Sequence, residues 1–367
     1  MTATMGASDS STSYKRVLVT GASGTIGRYV ASLADALGYY VVASDKRRSG
    51  IATPIRGEVR TADLTDAAAC ESLVQGCDAV IHTASELSVD ATPASLTAVN
   101  TDAVVALFEA ARRAGVGRFL HVSTAGLYAP TARPEGLTED APLAPRGKFG
   151  QSKHGAEIFL RAQTDGPAWT IVRPAPLYGK RGRYFAASLL VIAPILKAVL
   201  HRVPHWEGGP DATMVHAEDV ARALLFLLPH AGATREVFNV SDGDVLSLGE
   251  RISITLDAYG IPRSRVLRPS PWLLEHLGKS MGRDTTYRIC DRLAVVLWQA
   301  LAARHGLKPA LRPRLDRESM ALLYDHMVVD ASKLRALGWV PRFGNFAEAW
   351  REVLKWYQAE RWVPRYL

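Results

Sequence analysis

The sequence contains few cysteines, no long apolar run and no zinc-binding spacing. Three cysteines among 367 residues, Cys70, Cys77 and Cys290, cannot form a disulfide framework and are typical of a reducing compartment. The most apolar stretch, residues 185–200, is too short to span a bilayer and is interrupted by a proline and a lysine. These absences argue against a disulfide-rich secreted domain and against an integral membrane protein. We expect a cytoplasmic protein with no metal site. Membrane contact is not expected from these features, and the alternative left open is a peripheral contact through residues 189–200.

Long charged tracts are also missing. The chain has 44 Lys+Arg and 36 Asp+Glu, a net charge of +8, but the basic residues are dispersed and no nucleic-acid-binding motif accompanies them. We therefore expect no nucleic-acid partner. A hydrophobic fraction of 48% excludes a disordered chain. Only residues 1–13, which are small and polar and lack the basic start and apolar core of a signal peptide, are expected to form a disordered tail.

Short β-branched runs alternate with helical runs over residues 14–175. The strand candidates are Arg16–Thr20, Tyr40–Ala43, Ala79–Thr83, Arg118–Val122 and Ala168–Val172. Strands of four to six residues that alternate with longer helices are typical of βαβ units. This part of the chain is therefore predicted to form a Rossmann-type, doubly wound parallel sheet of the α/β class, covered by helices on both faces.

After residue 175 the alternation stops, and proline, tryptophan and long apolar helical patterns become common. Residues 176–367 are predicted to form a smaller, mostly helical substrate-binding lobe, from which residues 214–228 return to the sheet domain. Within this lobe Glu236–Val240 is predicted to be an isolated strand, and Asn345 is predicted to cap the last helix.

The first strand ends in a glycine-rich loop that opens a helix. Gly21, Gly24 and Gly27 have the spacing of a dinucleotide-binding turn, in which glycines allow a tight turn, close approach of a pyrophosphate and close packing of helix on strand. The phosphates would lie at the helix N-terminus, where free N–H groups favour negative charge. The loop residues expected to bind the cofactor are Gly21, Ser23, Gly24, Thr25, Ile26 and Gly27.

Asp45 lies 18 residues after Gly27, at the end of the second predicted strand. A carboxylate at this position accepts hydrogen bonds from the adenosine ribose hydroxyls, which favours NAD. The basic residues Lys46, Arg47 and Arg48 follow directly, and they keep NADP open as the cofactor because a 2′-phosphate needs basic neighbours.

With the glycine loop, further segments resemble the extended short-chain dehydrogenase/reductase family, which belongs to the NAD-dependent epimerase/dehydratase superfamily. In chain order they are Asp63-Leu64, His82 to Ala84, Asn100, Val122 to Ala125, Arg173-Pro174 with Leu177–Gly179, and Met214 to Val220. The resemblance covers nearly the whole chain and implies a homodimer. It also implies further cofactor contacts: Asp63, Leu64, Thr83, Ala84, Asn100, Lys153 and Pro174.

The family's catalytic pair is a tyrosine and a lysine four residues later, on one face of a helix. In this sequence the lysine is Lys153, but Phe149 stands where the family has tyrosine. The resemblance implies that the lysine binds the nicotinamide ribose and lowers the pKa of the phenol, which exchanges a proton with the substrate oxygen. Thr124, with Ser123 as second choice, matches the hydroxyl that hydrogen-bonds this oxygen. A phenyl ring has no proton to give.

Phe149 leaves three explanations open. The chain is an engineered variant that traps a bound substrate, or another group transfers the proton, or turnover has been lost and a cofactor-binding protein remains. The alternative proton donors are Tyr128, His82, Glu86 and an ordered water. Tyr128 lies four residues after Thr124 and is placed to line the same pocket, and the other interpretation of this residue is a packed aromatic.

The C-terminal half resembles the 3β-hydroxysteroid dehydrogenase branch of the family, through residues 238–243, 271–274 and 329–333. That branch implies an NAD(P)-dependent oxidoreductase acting on a secondary alcohol or ketone of a hydrophobic small molecule, steroid-like or β-oxoacyl-like. The first alternative is an epimerase or dehydratase of a sugar or sugar nucleotide that recycles bound NAD, although Pro176 replaces an asparagine common in such enzymes. The second alternative is a non-catalytic NAD(H)-binding protein.

Overall fold

A computed structural model describes residues 14–51, 57–88, 90–129, 136–182, 186–200, 202–281, 284–311 and 324–366. The predicted tail, residues 1–13, lies outside the described residues. The strands are β1 (Arg16–Thr20), β2 (Tyr40–Asp45), β3 (Glu58–Thr61), β4 (Ala79–His82), β5 (Arg118–Val122), β6 (Ala168–Pro174), β7 (Leu177–Tyr178), β8 (Val203–Trp206), β9 (Asp211–Ala212), β10 (Val215–His216), β11 (Glu236–Val240), β12 (Leu246–Ser247) and β13 (Arg263–Leu267). The helices are α1 (Gly27–Ala36), α2 (Ala67–Val74), α3 (Pro93–Thr97), α4 (Ala103–Arg113), α5 (Gly147–Arg161), α6 (Ala186–Val199), α7 (Ala217–Leu227), α8 (Leu248–Ala258), α9 (Pro271–Met281), α10 (Asp284–His305), α11 (Ser332–Ala336) and α12 (Phe346–Ala359).

The predicted doubly wound sheet is confirmed. Seven parallel strands lie in the order β11-β6-β5-β4-β1-β2-β3. The chain runs from β1 outward to β3 and then crosses back to β4, which lies on the other side of β1. The order of the strands therefore reverses between β1 and β4, and such a switch point opens a crevice at the carboxyl ends of the strands.

The central strands are buried on both faces, which explains their continuous apolar sequences. Val17 and Val19 of β1 pack in one cluster with Val30 of α1 and Leu224 of α7. Leu18, between the two valines, packs on the opposite face with residues of α2, α4 and α5. Successive residues of a strand point to opposite faces, so each strand contributes to both apolar layers.

The prediction of an isolated strand at Glu236–Val240 is wrong. This segment is β11, the edge strand of the central sheet, and it pairs in parallel with β6. Its partner lies more than 60 residues earlier in the chain, so no local pattern could reveal the pairing. Lys333 covers the strand by donating to the Glu236 carboxylate (2.7 Å) and to the backbone carbonyl of Val237 (2.9 Å). A capped edge of this kind protects a sheet from pairing with another chain.

The rest of the chain forms a third apolar cluster over the carboxyl end of the sheet. Its buried side chains include Leu190 of α6, Leu256 of α8, Trp298 of α10 and Trp350 of α12. As predicted, the Asn345 side chain caps the last helix, accepting from the Glu348 N–H. Residues 215–228 and 328–339 pack instead in the cluster that holds α1. The domain boundary at residue 175 stays a prediction.

Candidate active site

A cleft of about 1270 Å³ lies at the carboxyl ends of the central strands and continues under the helical lobe. We call one part of its wall the cofactor half; it comprises Thr20, Gly21, Ser23–Ile26, Ser44–Arg47, Ala62–Thr65, Thr83, Ala84 and Lys153. We call the other part the substrate half; it comprises Leu87, Leu96, Val99, Leu137, Leu177, Tyr178, Ala187, Leu190, Trp350, Val353 and Tyr357. Phe149, Ser123, Thr124, Tyr128 and Pro174 also line the cleft.

The glycine loop forms a turn that excludes larger side chains. A Cβ on Gly21, whose φ is +69°, would lie 2.6 Å from the Ala84 backbone nitrogen. A Cβ on Gly27 would lie 2.1 Å from the Gly21 carbonyl oxygen. Helix α1 begins at Gly27 with no side-chain cap, and Thr25 and Ile26 line the cleft just before it. The uncapped N-terminus therefore offers N–H groups to an anion, as a dinucleotide pyrophosphate requires.

Asp45 closes the far end of the cofactor half. One of its carboxylate oxygens accepts from the Ser23 N–H (3.0 Å) and the Ser23 hydroxyl (2.7 Å). No donor among the described residues is assigned to its other oxygen, which stays available for ribose hydroxyls. Lys46 pairs with Asp63 at 2.7 Å. The hydrogen bond from Lys46 lowers the pKa of Asp63 to about 2, with help from Thr65. Lys46 is therefore already engaged by a carboxylate.

The loop after β4 is anchored on both sides. The Thr83 hydroxyl donates to the Thr20 carbonyl at 2.7 Å, which ties this loop to β1. Asn100 lies in a π-helical turn between α3 and α4. Its amide oxygen accepts from the Ser85 hydroxyl and from the Glu86 N–H. Its amide nitrogen donates to the Glu86 carbonyl and to the Ser152 hydroxyl. Asn100 is fully buried and does not line the cleft. It thus holds the loop against α5, and any influence on a cofactor is indirect.

Lys153 is buried one helical turn after Phe149 and faces the cleft. Its Nζ donates to the Val122 carbonyl at 3.0 Å, and burial lowers the pKa of Lys153 to about 8 against the opposing effect of Glu157. An ammonium group has three donors. Only one is matched to an acceptor among the described residues, so the others are free to bind ligand hydroxyls in the cleft.

Phe149 is half-buried in the cleft wall, and two hydroxyls share the wall with it. The Thr124 oxygen accepts from the Gly126 N–H at 3.1 Å, so its own proton stays available for a ligand. The Ser123 hydroxyl is buried and has no hydrogen-bond partner among the described residues. The two predicted hydroxyl residues therefore both line the cleft, and neither hydroxyl has an assigned acceptor among the described residues.

Tyr128 lines the cleft, but its hydroxyl belongs to a buried network. It donates to the Asn239 side-chain oxygen at 2.6 Å and accepts from Arg173 at 3.1 Å. Arg173 is in turn paired with Glu157 at 2.5 Å, with both side chains fully buried. Burial also raises the pKa of Tyr128. This phenol has its proton and a lone pair committed, as a packed structural tyrosine would. Asn239, which completes the network, was not singled out from the sequence.

Two other proposed proton donors lie in different surroundings. His82 is fully buried beneath the cleft, bonds the Thr20 hydroxyl through Nδ1 (2.8 Å) and stacks on His121. Burial lowers the pKa of His82 to about 3, so its ring is neutral near pH 7 and cannot donate a proton as an imidazolium. Glu86 does line the cleft, and one of its oxygens accepts from the Ser88 N–H at 2.7 Å.

The substrate half was not found from the sequence, because it is assembled from distant segments. Tyr178, next to β10, has a buried hydroxyl with no partner among the described residues. At the mouth of the cleft, Arg146 pairs with Asp325 at 2.5 Å. These side chains lie more than 30 residues apart in the chain, so no local spacing connects them. Their only sequence signal was the Leu177–Gly179 segment.

Comparisons with known proteins agree with this geometry. The model of the NAD dependent epimerase/dehydratase family matches residues 17–241. The chain is 26% identical over 370 residues to 3 beta-hydroxysteroid dehydrogenase/Delta 5→4-isomerase of Mycobacterium tuberculosis, covering 96% of this chain and 93% of that protein. It is 30% identical over 274 residues to dTDP-glucose 4,6-dehydratase of an Actinoplanes species, covering 68% of this chain and 84% of that protein.

Among solved structures, the UDP-glucose 4-epimerase of Thermotoga maritima, crystallised with UDP-glucose, superimposes with a TM-score of 0.69. The match covers 94% of this chain and 99% of that chain at 20% sequence identity. The superposition shows that the two proteins share a fold, and at this sequence identity it shows nothing more.

Proposed function

The chain belongs to the NAD-dependent epimerase/dehydratase family of enzymes, and from that premise we propose that it oxidises or reduces a secondary alcohol or ketone on a hydrophobic, steroid-like or β-oxoacyl-like molecule. NAD(H) is the proposed cofactor. When bound, the nicotinamide accepts or supplies the hydride.

The residues of the cofactor half fit a dinucleotide. The turn at Gly21 and Gly27 leaves the α1 N-terminus open to a pyrophosphate, and Asp45 keeps one carboxylate oxygen for ribose hydroxyls. An acidic residue at this position favours NAD, since it would repel the 2′-phosphate of NADP. Lys153, with two donors left over, is placed to hold the second ribose.

The apolar wall of the substrate half is the observation that carries the proposed substrate class. Leu87, Leu137, Leu177 and Leu190 line it together with the indole of Trp350. A wall of this kind favours an apolar ligand, because binding removes apolar ligand surface from water. The 3 beta-hydroxysteroid dehydrogenase that matches 96% of the chain supports the same class.

Proton transfer has to proceed without a phenol at residue 149. Thr124 and Ser123 supply hydroxyls that stabilise the developing charge on a substrate oxygen, and Lys153 holds a positive charge in the same wall. Glu86 or an ordered water remains as the proton source if the natural chain carries Phe149. If Phe149 instead replaces a natural tyrosine, the same groups surround a site that lacks only its general acid.

The test follows the near-ultraviolet absorbance of reduced nicotinamide with a 3-oxosteroid, a β-oxoacyl thioester and a nucleotide sugar as separate substrates. We expect a net change with an apolar ketone. Phe149→Tyr should raise turnover by about 10²–10⁴, the worth of general acid catalysis. Phe149→Leu, which supplies no phenol, is the control and should not raise it. Binding of NAD(H) without turnover in all three proteins would exclude the proposed oxidoreductase activity.

A redox-neutral epimerase or dehydratase acting on a sugar nucleotide is the second candidate. Arg146, Lys148, Lys279 and Arg288 line the cleft and could attract a diphosphate, and a dTDP-glucose 4,6-dehydratase is among the relatives. Conversion of a nucleotide sugar with no net absorbance change would establish this candidate.

A non-catalytic NAD(H)-binding protein is the third candidate, suggested by Phe149 alone. The homodimer and the cytoplasmic location remain predictions; light scattering tests the first.

A further inference from the structure

The helical lobe exposes an unusual amount of apolar surface on α9 and α10. On α10, Ile289, Leu293 and Val296 are 62%, 58% and 60% exposed. They follow one another at spacings of four and three residues, and the exposed Ala300 and Ala303 continue the same helical face. We call these five residues the apolar stripe. Large side chains this exposed and this regularly spaced form a surface that is favourable only when it is covered.

Helix α9 adds to this surface. Trp272, Leu273 and Leu277 are 68%, 40% and 46% exposed, and the Trp272 ring stacks on His276. Most of α9 is exposed; within it, Leu274 and Gly278 are buried. Tryptophan is favoured where an apolar body meets a polar boundary.

The charge around the apolar stripe is predominantly positive. Arg288, Arg292 and Arg304 are exposed on α10 beside the stripe, while none of the described exposed residues of that helix is acidic. Residues 263–304 contain 8 Lys+Arg and 3 Asp+Glu, a net +5 of the whole chain's +8. Apolar side chains in the middle of a helix face with arginines at its borders are typical of helices that lie in the headgroup region of a membrane.

We propose that α9 and α10 dock on an anionic lipid surface, with the apolar stripe inserted between headgroups and the arginines paired with lipid phosphates and carboxylates. None of the described helices is long and apolar enough to cross a bilayer, so the contact would be peripheral. A second copy of the chain fits less well. A two-fold contact through the stripe would bring the α10 arginines of both copies together, and none of the described exposed residues of α10 is acidic. The exposed carboxylate of α9, Glu275, is already paired with Lys279.

The same helices reach the cleft. Gly278 and Lys279 of α9 and Tyr287 and Arg288 of α10 line its wall. The lipid-facing surface is therefore continuous with the mouth of the site, and an apolar substrate dissolved in the bilayer could enter without crossing water. This last step rests on the proposed function, whereas the docking itself does not.

Vesicle sedimentation of the full chain tests the docking. The vesicles contain phosphatidylcholine alone or about seven parts phosphatidylcholine to three of phosphatidylserine. We expect binding to the anionic vesicles that weakens with added salt. Ile289→Asp/Leu293→Asp should reduce the partition coefficient by tenfold or more, since each buried aliphatic side chain alone is worth about that factor. Arg288→Gln/Arg292→Gln should reduce it by about fivefold per charge on anionic vesicles only.

A matched pair of valines controls for the added charge. Val296 is 60% and Val340 is 75% exposed, and only Val296 lies on the apolar stripe. Val296→Asp should weaken vesicle binding while Val340→Asp should not, with both proteins keeping the unfolding transition of the parent. Equal binding by the two variants would overturn the proposal. So would a concentration-dependent dimer, lost in Ile289→Asp/Leu293→Asp, in a protein that does not sediment with vesicles. Neither result depends on turnover, so failure here leaves the proposed activity untouched.

Discussion

In the cofactor half of the cleft the backbone sets the shape, whereas in the substrate half side chains from distant segments do. Gly21 and Gly27 admit no Cβ, and Asn100 makes four hydrogen bonds that fix the loop beside them. Across the cleft, Leu190 and Trp350 come from different helices and meet through apolar packing. The difference teaches where each property is encoded: dinucleotide binding in a backbone turn, substrate choice in side chains that can change without disturbing the fold.

The largest effect is expected from a substitution at the most closely packed point of the cofactor half. Gly27→Ala would place a Cβ 2.1 Å from the Gly21 carbonyl oxygen, so the α1 N-terminus has to move. Losing one or two hydrogen bonds to the charged pyrophosphate, each worth about 1.5–3 kcal/mol, lowers affinity by about 10²-fold. We expect NAD affinity, measured by calorimetry, to fall by at least that factor. Gly344→Ala, whose Cβ would be 3.8 Å from its nearest neighbour, is the control. Unchanged affinity in Gly27→Ala would contradict the assigned pyrophosphate site.

The same contrast explains how much could be predicted from the sequence. The glycine turn and its flanking strand and helix are local, so the cofactor half and the parallel sheet could be predicted. Strand β11 could not, because its pairing with β6 joins residues far apart in the chain. Nor could the commitment of the Tyr128 hydroxyl to Asn239 and Arg173, because it joins the loop after β5 to residues of β11 and β6 that lie far away in the chain. The spacing of Tyr128 from Thr124 left two interpretations open, a residue lining the cleft and a packed aromatic, because spacing carries no information about where a hydroxyl points. Tyr128 lines the cleft while its hydroxyl is bonded inside the protein.

Acid should destabilise the part of the sheet beneath the cofactor half. His82 and His121 are fully buried and stacked, and burial lowers the pKa of both, that of His82 to about 3. The unfolded chain binds these protons near pH 6.5 while the folded chain does not. Stability is thus complete above pH 6.5 and falls as the pH drops from 6.5 toward 3, by up to about 1.4 kcal/mol per pH unit for each histidine.

Chemical denaturation between pH 7 and pH 4 measures this loss. His121→Phe replaces a ring whose two nitrogens have no partner among the described residues with an apolar ring of similar size. It should reduce the slope of stability against pH. Superimposable pH profiles for this variant and the parent would show that carboxylates, and not this histidine, govern the acid transition.

Tyr128→Phe tests whether Tyr128, at the border between the two halves, has a structural or a catalytic role. Removing the hydroxyl leaves the Asn239 oxygen without its 2.6 Å donor, and a lost buried hydrogen bond costs about 1–3 kcal/mol. We expect that loss in the free energy of unfolding, with NAD affinity and the pH profile of turnover unchanged. Tyr178→Phe is the matched control, because its buried hydroxyl has no partner among the described residues. A fall in turnover of 10² or more for Tyr128→Phe would identify Tyr128 as the proton donor.

The smallest expected effect belongs to the substrate half, where one side chain can be shortened without harm to the fold. Leu87 lines the cleft and is 43% exposed, so Leu87→Ala should change the free energy of unfolding by no more than about 0.5 kcal/mol. Loss of one apolar contact should lower kcat/KM for a hydrophobic ketone by about tenfold, while NAD affinity stays the same because no cofactor-binding group moves. Leu37→Ala, on a leucine that is 53% exposed and lies away from the cleft, should change neither quantity. An equal loss of kcat/KM for polar and apolar substrates would mean that Leu87 shapes the loop and not the apolar wall. The two halves of the cleft would then be less independent than the way they are built indicates.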